Sequence, residues 1–253
     1  MSAHGTAGVR IEALPDGVLL RAEIAPPGPR PHGPEQAARI DALWERLCRE
    51  NDRLYDGPIL RTVSVDAESG VLLCRRDTFR SLATSAQLGL GVRQLGVMGV
   101  VTGRDRAGRE SVLLARRSSQ TRIYPGLWEL APSGGVSPPA ANVAMLGPAE
   151  LAAALADEAD EELGLSFEGA QVRVVAVLRD DTACSDDVAL RIELPGVIDP
   201  RRGACAVERD AHDRWEYLDA AWVALDEVNA FASDHGAAVA PPTAAMLRWL
   251  GWN

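Results

Sequence analysis

A mixed α/β fold is the class this sequence predicts: a mixed sheet with helices on both faces, preceded by a small α/β module. Two patterns predict it. Short apolar runs such as RQLGVMGVVTG, SVLLARRS and QVRVVAVLRDD recur along the 253 residues, and stretches with helical spacing interrupt them. Turn residues, mainly Gly, Pro and Asp, separate the two kinds. With 47% hydrophobic and 25% charged side chains, the composition suits one large domain or a domain plus a smaller module.

Residues 1–89 form the expected module. VRIEAL and GVLLRAEI read as extended segments with PDG between them as a turn. APPGPRPHGP is a Pro-rich connector that cannot be helical. A helix follows over roughly 35–50, where Ile40, Leu43, Trp44 and Leu47 fall at i, i+3, i+4 and i+7 and make an apolar stripe. PILRTVSVD and GVLLCRRD read as paired strands across AESG. RRDTFRSLATSAQ reads equally as loop or short helix.

Residues 90–253 form the larger part. RQLGVMGVVTG and SVLLARRS read as strands around a turn at RDRAGRE. WELAPSGG reads as a strand running into a Pro-Gly-Gly loop. The span from Glu150 to Glu162 is helical by composition, with Gly164 where a left-handed cap would end it. QVRVVAVLRDD, DVALRIELPG and WEYLDAAWVAL are further strands. DEVNAFASDHG and PPTAAMLRWLGW read as closing helices.

Net charge is −10, and all 26 basic residues are Arg. A broad nucleic-acid surface is normally basic, so none is expected. Cys48, Cys74, Cys184 and Cys205 form no C-x-x-C pair, which argues against a disulfide scaffold or zinc knuckle. No apolar run reaches the ~20 residues of a membrane span, and MSAHGTAGVRIEALPDG lacks the pattern of a secretion signal. A cytoplasmic protein is expected.

The stretch DEADEELGL, residues 157–165, concentrates five carboxylates in six positions. On a helix Glu158, Glu161 and Glu162 are related by i+3 and i+4 and share one face. Like charges at that spacing repel, and a helix C-terminus disfavours anions. Both penalties vanish if a hard divalent cation sits on the face; carboxylate oxygens suit Mg²⁺ or Mn²⁺. The plain alternative is a solvated acidic face. Gly134 and Gly135 upstream would let backbone approach a ligand closely.

These features together resemble the Nudix hydrolase family over residues ~90–253. Its signature runs Gly-Gly, a spacer, Glu, a second spacer, then Arg-Glu-apolar-x-Glu-Glu-x-Gly-apolar, and residues 157–165 cover the second half. LLARRS, GLWELAPSGGV and WEYLDAAWVALDEV are similar to its neighbouring strands. Two departures stand out. Asp157 replaces the signature Arg, and the 23 positions from Gly135 to Glu158 exceed the family spacing through an excursion at VSPPAANVAMLGPA. Glu150 is nearest to the upstream signature Glu but one residue out of phase.

The resemblance implies an α/β/α sandwich that hydrolyses a nucleoside diphosphate linked to another group, with Mg²⁺ or Mn²⁺ on Glu158, Glu161 and Glu162. Candidates for the general base are Glu161, Glu162, Glu208 and Glu216. Glu129, Gly134 and Gly135 are candidates for substrate contact, and Arg116, Arg117 or Arg122 for the missing positive charge. Glu129 reads equally as the partner of a loop arginine. Trp128, Trp215, Tyr217 and Trp222 read as core residues or as platforms for a base. LWERLCRENDRLYDGPILR is similar to the leading module of UDP-sugar-hydrolysing relatives, which would wall the pocket with Arg75, Arg76 or Arg80, or merely cap the sheet. The expected partner is a small diphosphate, with a homodimer left open. Two alternatives remain: a ligand-binding or regulatory protein without catalysis, and a hydrolase of a non-nucleotide diphosphate.

Overall fold

A computed structural model of the chain describes residues 4–6, 8–26, 33–199, 216–234 and 238–252. Strands β1 (His4–Thr6), β2 (Val9–Ala13) and β3 (Arg21–Ile24) come first. Helix α1 (Pro34–Glu50) opens on a proline, whose missing N–H costs nothing in a first turn, and it buries Ile40 and Leu43. Strands β4 (Pro58–Asp66) and β5 (Val71–Thr78) are joined by a turn in which Asp66 accepts from the Glu68 and Ser69 amides. The ambiguous stretch after them is helix α2 (Phe79–Leu88), ended by Gly89 at φ 63°.

The larger part begins with β6 (Gln94–Arg104) and β7 (Glu110–Arg117), then the short β8 (Trp128–Leu130), β9 (Ser133–Gly135) and β10 (Met145–Leu146). Helix α3 (Pro148–Glu158) runs into one wider π turn (Ala159–Leu163), closed by Gly164 at φ 62°. Long strands β11 (Gln171–Asp180) and β12 (Ser185–Val197) follow, then β13 (Tyr217–Ala224), α4 (Val228–Asp234) and α5 (Pro241–Trp249).

One mixed sheet carries all the strands, in the order β1-β2-β11-β12-β6-β4-β5-β3-β10. The pairs β12–β6 and β3–β5 are parallel. At β6 the sheet forks. Near Thr102 β6 pairs with β7, which continues with β8 and β13; near Gly96 it pairs with β9 instead. The period-2 alternation of β6 and β7 explains the layering. Leu95, Val97, Val101, Leu113 and Ala115 face one core with Leu151 and Leu155 of α3. Met98, Val100, Val112 and Leu114 face the other, with Val228, Met246 and Leu247 of α4 and α5. The architecture is an α/β/α sandwich.

The turn at Pro15-Asp16-Gly17 does not produce a hairpin, because β2 pairs with β11 while β3 pairs with β5 and β10. The expected boundary at residues 89 and 90 is therefore crossed in both directions. The excursion between Gly135 and α3 has a structural role: β10 extends the edge at β3, Ile24 donates to the Ala144 carbonyl, and Arg76 donates to that of Ala140 at 2.9 Å. The added length lashes the first 89 residues to the rest. No helix among the described residues is long and apolar enough to cross a membrane.

Candidate active site

Gly134 and Gly135 lie in a strand rather than the expected loop, with Gly134 opposite Val97 and Gly135 opposite Gly96. Bare backbone is required here. A Cβ on Gly134 would overlap the Glu158 side chain, one on Gly135 the Gln94 amide, and one on Gly96 the Asp187 carboxyl. By strand alternation Glu158 lies against one face of this glycine patch, and Gln94 and Asp187 against the other. Beside it opens a pocket of about 440 Å³, walled by Glu158, Glu162 and Glu216, by Arg117 at the end of β7 and residues 120–124 of the loop after it, and by Asn51, Tyr55 and Phe79 of the first module.

Glu158 ends α3 and Glu162 sits in the π turn, a winding that recurs at functional sites. Both line the pocket, whereas Glu161 between them is exposed and lies outside the lining. Glu216 enters just before β13, its carbonyl accepting from the Ser118 amide. Burial pushes the Glu158 carboxyl up to about 7, helped by the carboxylates of Glu216, Glu161 and Asp157. Burial raises Glu162 as well, reinforced by Glu216 and Glu158. Its Oε2 is buried with no donor from an ordinary hydrogen-bonding group, and its carboxyl lies against that of Glu216, with which it can share a proton.

These residues fit a hard divalent cation. Three oxygen-bearing side chains converge, the charges acting on Glu158 are all negative, and one buried oxygen lacks an ordinary donor. Among the described residues no group of three Asp, Glu, His or Cys side chains is placed to hold a metal ion. Mg²⁺ does not need one, since it commonly takes one or two carboxylates together with waters and substrate phosphates.

Glu129 is 6% exposed. Its Oε1 accepts from Arg117 Nη1, from the Tyr217 hydroxyl at 2.7 Å and from Ser133 Oγ at 3.1 Å. Glu129 thus lines the pocket and is also the partner of an arginine. Of the three candidate cations Arg117 and Arg122 line the pocket, while Arg116 is exposed and donates to the Gly126 carbonyl. Desolvation holds the Arg122 guanidinium below its ordinary pKa, and it sits 5.8 Å from the Phe79 ring centre.

The module's contribution differs from expectation. Arg80 is engaged by Asp41 and Asp56, Arg76 holds the excursion, and neither they nor Arg75 line the pocket. Glu150 is the helix cap of α3, accepting from the Gly147 amide at 2.8 Å, and lies outside the pocket lining. Trp128 is core, edge-on to Phe231 at 5.0 Å, and Trp222 packs on the core. Glu208, Cys205, His212 and Trp215 lie outside the described residues. Sequence reasoning missed Gln94, Tyr124, Asp180 and Asp187 as pocket residues; the only local signal was Gly96, an isolated glycine within a strand pattern.

No family model matches the chain, and no curated protein matches it. Among solved structures, the NUDIX domain of Shewanella oneidensis NrtR, complexed with ADP ribose, is similar at 17% identity and a TM-score of 0.42, over 62% of this chain and 84% of that one. The Nudix hydrolase RenU from M. smegmatis is similar at 20% identity and a TM-score of 0.40, over 62% and 83%. A NUDIX hydrolase from Alicyclobacillus acidocaldarius is similar at 18% identity and a TM-score of 0.39, over 62% and 90%.

Proposed function

We propose that this chain is a Nudix-type pyrophosphohydrolase that uses Mg²⁺ or Mn²⁺ to cleave the phosphoanhydride of a nucleoside diphosphate linked to another group, with UDP-sugars among the substrates to be tried. The observation that carries the reading is the convergence of Glu158, Glu162 and Glu216 on the pocket beside the glycine patch, with the buried Glu162 Oε2 lacking an ordinary donor. Carboxylates crowded out of water raise one another's pKa values, and a cation relieves that cost.

Held by Glu158 and Glu162, such a cation would neutralise diphosphate oxygens and acidify a water. Arg117, held in place by Glu129 and the Ile123 carbonyl at 3.0 Å, directs a positive group into the same pocket and favours a phosphate there. Proton removal from the attacking water falls to a pocket carboxylate, for which Glu216 is the first choice and Glu162 the second. Exposed Glu161 acts on the site through its charge on Glu158.

Hydrolysis of a panel of nucleotide sugars and dinucleotides, followed by phosphorus NMR in ¹⁸O-labelled water with Mg²⁺, tests the reading. Product is expected with wild type and lost with Glu162→Gln. Turnover that persists in both EDTA and Glu162→Gln would overturn it. A second reading, a ligand-binding protein without catalysis, is favoured by Asp157, which adds negative charge beside Glu158 where the signature carries a cation. It predicts ligand-dependent thermal stabilisation with no product.

A further inference from the structure

We infer that Asp187, together with Gln94, forms a subsite for the hydroxyls of a sugar carried on the diphosphate. The inference deepens the hydrolase reading and rests on it. Four aspartates surround the start of β12, and three of them are spent on the fold, Asp181 through its pairing with Arg93 at 3.0 Å. Asp180 accepts from the Tyr124 hydroxyl at 2.7 Å and from the amides of Thr182 and Ala183. Asp186 is paired with Arg93 at 3.2 Å.

Asp187 is different. Among the described residues it takes one hydrogen bond, from Ser185 Oγ to Oδ2 at 2.7 Å, and the charges that raise its pKa are those of Asp180, Asp186 and Glu129. A carboxyl withdrawn from water without a counter-charge is costly, and burial pushes this one up to about 7. Its Oδ1 rests against Gly96, where any side chain would displace it. The group therefore faces the pocket with accepting capacity to spare.

Gln94 lies beside it over Gly135 and makes no side-chain hydrogen bond among the described residues. A carboxyl accepts from a hydroxyl, and an amide both donates and accepts. Together they match adjacent hydroxyls, each of which donates and accepts. A phosphate suits this end poorly, because the charges of Asp180, Asp186 and Glu129 that act on Asp187 would repel it. Position agrees with this. The Asp187 carboxyl lies against Gly96 of β6, and Glu158 against Gly134 of the adjoining β9; both line the one pocket, within the reach of a group attached to the diphosphate.

The test compares binding of two nucleotide sugars, UDP-glucose and ADP-ribose, with binding of methylenediphosphonate, which has no hydroxyls beyond its phosphonates. Each is titrated calorimetrically with Mg²⁺ into wild type, Asp187→Ala, Asp187→Asn and Glu162→Gln. The Asn variant keeps the side-chain shape on Gly96, so a folding defect in the Ala variant does not remove the test. In both Asp187 variants the ratio of nucleotide-sugar to diphosphonate affinity is expected to fall, roughly 10- to 100-fold for Ala and less for Asn. Glu162→Gln should weaken both classes of ligand. An unchanged ratio in Asp187→Ala and Asp187→Asn overturns this inference alone, as does wild type that binds the diphosphonate but neither nucleotide sugar. Wild type that binds none of the three probes overturns the hydrolase reading and this inference with it.

Discussion

Removing protons from the carboxylate pocket without supplying a cation should loosen the protein. Glu158 moves from an ordinary 4.5 to about 7 in the folded state. Its folded pKa is raised, so its contribution is fully present below about pH 4.5 and is lost as pH climbs through about 7. At ~1.4 kcal/mol per pKa unit the ceiling is roughly 3 kcal/mol. Glu158 is only partly buried, and solvent screening cuts this to roughly 1–2 kcal/mol. For a chain of this size each kcal/mol is worth roughly 2–4 °C. Asp187, moved from 3.8 to about 7, acts in the same direction. Melting followed by circular dichroism in EDTA should show Tm falling by about 3–8 °C between about pH 5.5 and pH 8. Glu158→Gln should make that slope shallower, and Mg²⁺ should restore wild-type Tm at the upper end, because a ligand bound only by the folded state stabilises it. A metal-free Tm that stays flat or rises over this window, or a Glu158→Gln slope equal to wild type, would refute the reasoning.

Gly134→Ala places a methyl group where the Glu158 side chain lies; Mn²⁺ affinity measured by electron paramagnetic resonance should fall roughly tenfold or more while the circular dichroism spectrum is retained. Glu129→Ala strips the carboxylate from Arg117, whose side chain is only 14% exposed, and should cost about 3 kcal/mol or more in urea unfolding. Arg116→Ala, on an exposed side chain, should stay within roughly 0.5 kcal/mol in the same assay. Glu161→Gln should weaken Mn²⁺ binding by less than about tenfold, whereas Glu162→Gln should exceed that, since Glu162 carries a buried carboxylate oxygen and Glu161 is exposed.

Most individual elements were legible because their signals are local. The stripe at Ile40, Leu43, Trp44 and Leu47 marked α1, the period-2 runs marked β6 and β7, and Gly164 marked the end of the acidic helix. What could not be read was which strands pair. Nothing in VRIEAL specifies β11 as its neighbour, and nothing in the excursion at residues 136–149 announces β10, because register depends on partners far along the chain. The glycine pair read as a loop for the same reason: glycine disfavours strands intrinsically, and only the approach of Glu158 and Gln94 explains its use in one.

The site was legible where spacing carries chemistry and opaque where it does not. Glu158 and Glu162 follow from the i+4 relation, and the π turn that separates Glu161 from them has no signature in a run of five acids. Glu216 could be suspected from its place before a strand. Asp187 could not, since Ser185-Asp186-Asp187 has the composition of an ordinary turn, and its lack of a cation appears only once Arg93 is seen to serve Asp186. Arginine placement was equally hidden, with Arg116 and Arg117 adjacent in sequence yet pointing to solvent and pocket by strand alternation.

Cation binding by the pocket carboxylates is the claim on which the rest depends. Titration of the metal-free protein with Mn²⁺, with free ion counted by electron paramagnetic resonance, addresses it without any assumption about substrate. Saturable Mn²⁺ binding to wild type, displaced by Mg²⁺ and weakened more than about tenfold in Glu162→Gln, is the result expected. Wild type that leaves Mn²⁺ free, or Glu162→Gln that binds it as well as wild type, would contradict the account.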